Sequence, residues 1–495
     1  MKTTLTRTVA ALLALLVCLG SLCALSGCAD TGTPENSTED TSSAVAEVTD
    51  APEVTVENAL SVLGPRNFGD ETVTFFSRYY NGAWISDLVS TADDMDTVLV
   101  SVYKRNKFIE ENYGVRIEEI RSGSAAFQAK VASRVSTGDD SFDVLYMGLS
   151  DCASTASAGY LTDLNEIKNL DLEGRWWSQS LNSVWSIGGK QFFATGDITT
   201  TDNMATRCMY FNKDIAEKHN LRAPYDCVAD NTWTFETFFT MVSEAGILSG
   251  DGKDISANQY GAVAQTTFGF MMLMAADELL TKNNSEDIPE LVFGSDRSYA
   301  IVDYLTKNIS GNTAVWLGDD KDIMEIFSGG RSLFMAEVLL HAKTMRDKDV
   351  TFGILPMPKY TADQEDYCQY TTGYCTTVIA FPKTTTGDRL DRASFITEAM
   401  AIQSLTTVTP AFYEVCLKAR YSDAPEDARM IDIISATVKS DLAEIYGWGG
   451  LKTKVQTAVS EGSSIVSVLT SSKKLTAAAI KQTVEAWDKV KGAEG

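Results

Sequence analysis

Two tyrosines and an aspartate stand where a parallel β-sheet would present them to a small molecule. Tyr79 and Tyr80 follow the apolar segment 71–77, and Asp151 follows the apolar segment 142–148. Ligands of open α/β sheets bind beyond the carboxyl ends of the strands. Aromatic rings cover the apolar faces of sugars, and carboxylates accept hydrogen bonds from hydroxyl groups. Strand-end geometry therefore makes Tyr79, Tyr80 and Asp151 candidate ligand-binding residues, unless Tyr79 or Tyr80 faces the core instead.

The chain contains few residues suited to catalysis. Its only histidines are His219 and His341, and it has no GxSxG, HExxH, Walker or paired-cysteine metal motif. The loop 249–261 carries Asp251 and Asp254 but lacks the glycine and glutamate that a calcium loop requires. We therefore predict no enzyme activity, no cofactor and no bound metal. A glycan hydrolase that uses a carboxylate pair stays open as an alternative, because acidic residues are plentiful.

The composition indicates a large, acidic, globular protein. With 495 residues, of which 44% are hydrophobic, the chain can form two or three domains. Its formal net charge of −25 would be repelled by phosphate backbones and by anionic lipid surfaces. We therefore predict no nucleic-acid partner.

The N-terminal residues 1–27 have the features of an export signal. Lys2 and Arg7 precede an apolar run at 9–19 that is too short to span a bilayer unaided. The sequence LSGC, which ends at Cys28, resembles a bacterial lipobox, in which Cys28 would be acylated and become the mature N-terminus. Acyl chains would then hold the protein on the outer, extracellular face of the cell membrane. An ordinary secretory signal with an incidental cysteine is the alternative.

Residues 28–67 differ from the rest of the chain in composition. They are rich in Thr, Ser, Glu, Asp and Ala, and no Lys or Arg occurs before Arg66. Low hydrophobicity and charge of one sign leave too little surface to bury. We expect an extended acidic tether, with an interaction tail as the alternative.

Apolar periodicity predicts alternating strands and helices after the tether. Phe127, Val131 and Val135 recur at helical spacing, and Gly114 and Gly138 are suited to end helices. Strands that alternate with helices imply parallel βαβ units. The predicted elements are strands at 71–77, 115–120 and 142–148, a helix at 95–113 and a helix from 127 to Gly138.

Two segments carry a family resemblance. The apolar residues 192–194 form a predicted strand that leads into a polar run at 195–203, and MYFNKDIAEKHNL then starts with a second predicted strand. The other segment, 329–360, reads GGRSLFMAEVLLHAKTMRDKDVTFGILPMPKY. In this order, and with the lipobox, they resemble the family 1 extracellular solute-binding proteins, the maltodextrin-binding-like receptors of bacterial ABC importers.

The resemblance implies an α/β chain with a two-lobed periplasmic-binding-protein-like type II fold, a hinge and an interlobe cleft. Polar crossovers at 195–203 and 359–373 would join the lobes, and Gly196 with its threonine neighbours suits a hinge. The implied domains are a lipoprotein signal peptide at 1–27, the acylated cysteine and tether at 28–67, lobe I at 68–197 plus 372–410, and lobe II at 198–371 plus 411–495.

Family position also implies ligand-binding residues beyond Tyr79, Tyr80 and Asp151. Asp197 and Asp202 would lie at the first crossover, with Glu337 and Trp448 on lobe II. A structural role is the alternative for two of them, since Asp202 can cap a turn and the Trp448 ring can pack beside its flanking glycines. Glu337 marks a departure, because sugar-binding relatives often carry an aromatic residue just after that strand.

The function implied by the resemblance is capture and delivery of a solute. The partners would be a small-molecule solute, an oligosaccharide or other glycan fragment, the permease subunits of an ABC transporter, and the membrane through the lipid anchor. We expect a monomer. An exported sensor or adhesin with the same lobes is a further alternative to a transport receptor.

The cysteines predict little about structure. Six follow Cys28, but a domain of this size is stable through packing, and unpaired cysteines are commonly small buried apolar residues. We predict no disulfide framework, and Cys368 with Cys375 is the best candidate pair.

Overall fold

Strands and helices alternate through most of the chain. The computed structural model describes residues 56–79, 87–248, 256–417 and 425–490, so the predictions for Cys28, the tether before residue 56 and Tyr80 lie outside the described residues. The strands are β1 (Glu71–Tyr79), β2 (Val115–Gly123), β3 (Val144–Gly148), β4 (Arg207–Asn212), β5 (Tyr260–Gln265), β6 (Thr281–Asn283), β7 (Pro289–Leu291), β8 (Val315–Gly318), β9 (Ser332–Val338), β10 (Phe352–Leu355), β11 (Gln369–Tyr370), β12 (Thr377–Ala380) and β13 (Val438–Lys439). The helices are α1 (Val56–Leu63), α2 (Thr97–Tyr113), α3 (Phe127–Ser136), α4 (Leu149–Ser157), α5 (Gln179–Trp185), α6 (Thr201–Met204), α7 (Lys213–Lys218), α8 (Pro224–Ala229), α9 (Phe235–Ala245), α10 (Phe268–Ala275), α11 (Asp296–Ile309), α12 (Asp320–Ser328), α13 (His341–Met345), α14 (Gly387–Ser404), α15 (Val408–Leu417), α16 (Pro425–Ala436), α17 (Leu442–Tyr446), α18 (Leu451–Glu461) and α19 (Ile465–Asp488). Among the described residues, none of these helices combines the length and the apolar character needed to cross a membrane.

The first large sheet has the strand order β12–β3–β1–β2. Strands β1, β2 and β3 run parallel, as the predicted βαβ units require, and β12 runs antiparallel to β3. Phe76 of β1 packs against Phe127 of α3 with ring centroids 4.9 Å apart. Helix α2 begins two residues later than predicted because the Asp96 side chain accepts hydrogen bonds from amides of its first turn. The helix ends as predicted at Gly114. The backbone of Gly114 has a φ of 55°, a left-handed conformation that glycine adopts readily.

The second large sheet has the strand order β10–β4–β9–β5–β8. Strand β4 is antiparallel to both neighbours, whereas β5 is parallel to β8 and β9. Every residue of the central strand β9 is buried, which is typical of a strand with helices on both faces of its sheet. The Thr234 hydroxyl caps α9 by accepting a hydrogen bond from the Thr237 amide. Sequence-local caps therefore set the helices that cover this sheet.

The chain passes from the first sheet to the second between Ala194 and β4. Ala194 exchanges two backbone hydrogen bonds with Ile379 of β12, so the strand predicted at 192–194 is a single bridge. The next residue, Thr195, directs its backbone away from β12 and exchanges two hydrogen bonds of 2.9 Å with the Asn182 side chain. The chain returns from β10 to β12 through residues 356–376.

The C-terminal helices contact elements beside both sheets. The Trp487 ring of α19 packs edge-to-face on Phe192, with centroids 4.6 Å apart. Lys190 donates hydrogen bonds to the carbonyls of Trp487 and Val490, while α18 packs on α10 and α11. The assignment of 411–495 to lobe II stays a prediction, since these helices lie against both parts of the chain.

Candidate functional site

A buried arginine organises the carboxyl edge of the first sheet. Arg78, near the end of β1, donates from Nη1 to Asp151 Oδ2 at 3.0 Å and from Nη2 to the Tyr374 carbonyl. The guanidinium carbon lies 5.2 Å from the centroid of the Tyr374 ring, which is 61% exposed. A Cβ on Gly148 would lie only 2.2 Å from Arg78 Nη2, so a side chain where β3 ends would displace the guanidinium. We call Arg78, Asp151 and Tyr374 the Arg78 cluster.

A second polar group lies where β4 begins and β5 and β9 end. Arg207 Nη1 donates to Glu337 Oε2 at 3.0 Å, and Nη2 donates to Gln265 Oε1 at 3.1 Å. The Gln265 amide donates in turn to Asp320, and His341 Nε2 lies 3.6 Å from Glu337 Oε2. We call these five residues the edge cluster: Arg207, Gln265, Asp320, Glu337 and His341. Its outer member, Asp320, is exposed, whereas Glu337 is only 1% exposed.

Three buried atoms of the edge cluster have no hydrogen-bond partner among the described residues. They are Arg207 Nε, Glu337 Oε1 and His341 Nδ1. Native proteins leave few buried polar atoms unpaired, since each costs about 1–3 kcal/mol. Burial raises the pKa of Glu337, while Arg207 and, more weakly, the nearby Gln265 side chain lower it. Burial lowers the pKa of His341 to about 4, so its imidazole is neutral at pH 7.

Cys375 lies close to both clusters. Burial raises the pKa of its half-buried thiol to about 11, the charges of Arg207 and Arg78 lower it, and those of Asp320 and Glu337 raise it. We call residues 356–376 the return segment. Within it, Thr371 pairs with Thr206, the neighbour of Arg207, and Tyr374 accepts the hydrogen bond of Arg78, so the segment contacts the sheet ends that carry both clusters. Cys368 and Cys375 both carry free thiols, and the candidate disulfide between them is not formed.

A family comparison covers most of the region that contains these clusters. The model of the bacterial extracellular solute-binding protein family matches residues 105–426, well over half of the chain. The chain belongs to this family. Membership makes it a binding protein by descent and indicates an extracellular or periplasmic location. A comparison with curated proteins finds no match.

Solved structures of sugar receptors share the fold of this solute-binding protein. The cyclic α-maltosyl-1,6-maltose-binding protein from Arthrobacter globiformis aligns with a TM-score of 0.58 and 12% identity, covering 83% of this chain and 100% of that chain. A cyclo/maltodextrin-binding protein complexed with maltotetraose aligns at 0.54 and 12%, covering 84% and 96%. An ABC substrate-binding protein from Listeria monocytogenes in complex with cycloalternan aligns at 0.52 and 12%, covering 85% and 98%. These similarities confirm the predicted two-lobed α/β binding-protein fold.

Two of the predicted ligand-binding residues lie in the neighbouring clusters. Asp151 accepts the hydrogen bond of Arg78, and Glu337 is paired with Arg207. Tyr79 is the last residue of β1 and is partly exposed, with the Arg121 guanidinium carbon 5.9 Å from its ring centroid. Tyr80 lies outside the described residues. The ligand-binding roles of all these residues stay predictions.

Asp197 and Asp202 lie on the first crossover of the solute-binding protein. Asp197 accepts a hydrogen bond from Thr409 Oγ1 at 2.7 Å, and Asp202 accepts one from the following amide, that of Asn203, at 2.9 Å. Burial raises the pKa of Asp197 to about 6. Burial raises the pKa of Asp202 to about 7, and the nearby charges of Asp197 and Asp87 raise it further. The ligand-binding roles of Asp197 and Asp202, and the turn-capping alternative for Asp202, stay predictions.

A second buried polar group holds the same crossover in place. The Asp87 carboxylate accepts hydrogen bonds from Tyr146 Oη and from Thr200 Oγ1, the latter at 2.8 Å. Arg105 donates to the Ile198 carbonyl at 3.1 Å. Asp87, Arg105, Tyr146 and Thr200 form what we call the crossover cluster, and among the described residues none of their buried side-chain atoms is unpaired. This cluster ties the crossover to the first sheet.

Trp448 is buried between the C-terminal helices. Its Nε1 donates to Thr483 Oγ1 at 2.9 Å, and its ring stacks on Tyr446 with centroids 4.9 Å apart. Gly449 has a φ of 63°, and a Cβ there would lie 2.1 Å from Thr476 Oγ1. These contacts match the packing alternative, and in this conformation the side chain is only 3% exposed. A role in ligand binding stays a prediction.

Sequence reasoning does not single out Arg78, Tyr374, Arg207 or His341 as site residues. Arg78 carries the strongest sequence signal, because it directly precedes the predicted Tyr79. Tyr374 meets Arg78 only through the return segment, 296 residues further along the chain. Arg207 and Glu337 are 130 residues apart, so their pairing depends on strand order that local patterns do not determine.

Proposed function

We propose that this solute-binding protein binds a neutral oligosaccharide between the Arg78 cluster and the edge cluster. The observation that carries the proposal is that each of two sheets ends in a paired arginine and carboxylate, and that residues 371–374 contact both sheet ends, through Thr206 and through Arg78. Sugar hydroxyl groups both donate and accept hydrogen bonds, so they suit such mixed surfaces. A ligand that contacts both sheets would also favour a closed arrangement by its differential affinity.

The charges of the two clusters support a neutral solute. Arg78 is paired with Asp151, and Arg207 is paired with Glu337. Asp320 adds a further carboxylate beside Gln265. No cation of these clusters is in excess, so an anionic solute gains little. Proteins of the same fold in complex with maltotetraose and cycloalternan support an oligosaccharide.

Delivery and anchoring complete the proposed role. The captured solute passes to the permease subunits of an ABC importer, and Cys28 holds the receptor on the outer face of the membrane. Replacing Cys28 with Ala should abolish fatty-acid labelling and release the protein from the membrane fraction. Fatty-acid labelling that persists in this variant would contradict the anchor.

Binding can be measured with a panel of neutral oligosaccharides that includes maltotetraose and cycloalternan. A member present at 100 times its Kd should raise the free energy of unfolding by about 2.7 kcal/mol, which a thermal-shift assay detects. The same sample should show a smaller radius of gyration in solution scattering. A parallel panel of amino acids and short peptides serves as the control. Stabilisation by that panel alone, or by neither panel, would contradict carbohydrate capture.

A further inference from the structure

The unpartnered atoms of the edge cluster come from three different elements. Arg207 Nε belongs to β4, Glu337 Oε1 to β9 and His341 Nδ1 to α13. The side chains of Arg207 and Glu337 are 8% and 1% exposed, so bulk water has little access to them. Arg207 Nη1 lies 3.0 Å and His341 Nε2 lies 3.6 Å from Glu337 Oε2, so both side chains are neighbours of Glu337. One group of neighbouring side chains therefore holds three buried polar atoms without partners among the described residues.

We propose that Arg207, Glu337 and His341 form a hydroxyl-binding subsite, and that Glu337 makes the protein select neutral sugars over acidic sugars. The proposal rests on the proposed function and names the residues that determine its specificity. A sugar hydroxyl can donate to Glu337 Oε1, and a sugar hydroxyl can accept from Arg207 Nε. A neutral imidazole offers one donor and one acceptor nitrogen, so His341 can bind an adjacent hydroxyl in either tautomer.

The charges around the subsite explain the selection. Glu337 already neutralises Arg207, and Asp320 lies one hydrogen bond further out, beyond Gln265. A carboxylate on the solute would therefore approach like charges in a poorly solvated place, where repulsion is stronger than in water. His341 supplies no compensating charge, because burial lowers its pKa to about 4. A hydroxyl group meets no such repulsion.

A purely structural ion pair in the same chain looks different. Glu444 Oε1 pairs with Lys452 at 2.6 Å, and Glu444 Oε2 accepts a hydrogen bond from the Gly373 amide at 3.2 Å. Lys452 also donates to Tyr370 Oη at 2.9 Å. Both carboxylate oxygens are used there, as expected of a buried pair that only stabilises the fold. Glu337 uses one oxygen and leaves the other unpaired.

Calorimetric titration at pH 7 tests the subsite. The probes are maltotetraose, cellotetraose and galactotetraose as neutral sugars, and tetragalacturonate as the acidic counterpart of the last. The full mature protein should bind at least one neutral probe at least tenfold more tightly than tetragalacturonate. Glu337→Gln should weaken that neutral probe at least tenfold and shift the preference towards tetragalacturonate, because Arg207 loses its counter-charge. Glu325→Gln, at a carboxylate that is 60% exposed on α12, should change neither affinity.

The outcomes separate the subsite from the proposed function. If neutral sugars bind wild type and Glu337→Gln equally, capture of carbohydrate stands and the subsite is wrong. Tighter binding of tetragalacturonate by wild type also overturns the subsite. If no probe binds, both proposals are contradicted. Should Glu337→Gln fail to melt cooperatively, His341→Phe replaces it, since this change leaves the ion pair intact. That variant should bind the neutral probe at least threefold more weakly, and an unchanged affinity would overturn the subsite.

Discussion

The crossover cluster and the edge cluster are both buried and polar, but they differ in how completely they are bonded. In the crossover cluster, Arg105 donates five hydrogen bonds, and Asp87 accepts from Tyr146 and Thr200. In the edge cluster, one atom on each of three side chains is unpaired among the described residues. A satisfied network fixes one geometry, whereas a partly satisfied network costs stability and indicates a binding role. The comparison therefore separates a group that holds the fold from a group that we propose meets the solute.

Removing Arg105 should give the largest loss of stability. The side chain is fully buried and donates to the carbonyls of Asp87, Leu88 and Ile198. Arg105→Met would leave the Asp87 and Ile198 carbonyls without this donor, whereas Leu88 keeps its hydrogen bond from Asn106, so we expect the free energy of unfolding to fall by about 5 kcal/mol. Urea denaturation provides the measurement. Arg222→Met, which breaks an exposed pair with Asp230, should cost under about 1 kcal/mol. If Arg105→Met and Arg222→Met lowered the free energy of unfolding by similar amounts, the crossover cluster would not be a special support of the fold.

Asp202 should make stability depend on pH. Its pKa is raised from an ordinary value near 4 to about 7 by burial and by Asp197 and Asp87. Between these values the folded protein holds a proton that the unfolded chain has released, so stability falls as pH rises. Asp202→Asn removes this titration, and the variant should exceed wild type by up to about 4 kcal/mol at pH 8. The difference should vanish near pH 4.

Denaturation at several pH values measures this effect. Asp303→Asn, at an exposed position on α11, is the matched control and should keep the wild-type pH dependence. Parallel pH profiles of wild type and Asp202→Asn would show that the carboxyl is not held protonated by burial. The crossover and the edge cluster would then differ less in how strongly burial acts on their polar groups than their contacts indicate.

Much of the fold follows from local sequence signals, whereas most of the site does not. Gly114 ends α2 as predicted, because a helix end of this kind needs only one residue that accepts a left-handed backbone, and glycine is visible in the sequence. The strand predicted at 192–194 is a single bridge between Ala194 and Ile379, a partner 185 residues further along the chain that local patterns do not reveal. The same reason limits the site. Asp151 follows its strand directly and lies in the Arg78 cluster as strand-end geometry predicts, but Tyr374 reaches Arg78 through a contact between distant parts of the chain.

Tyr374 should show the smallest effect on stability and a clear effect on binding. Its ring is 61% exposed and lies over the Arg78 guanidinium, while its carbonyl, which any residue provides, accepts the hydrogen bond of Arg78. Tyr374→Ala should therefore change the free energy of unfolding by less than about 0.5 kcal/mol. If the ring packs on a sugar face, the same change should weaken binding of a neutral oligosaccharide about tenfold, or about 1.4 kcal/mol. Tyr374→Phe keeps the ring and should retain most of the affinity. Calorimetry measures the affinity and denaturation measures the stability of wild type and the two variants. A large loss of stability in Tyr374→Ala would show that Tyr374 stabilises the fold. An unchanged affinity would show that its ring does not contact the solute.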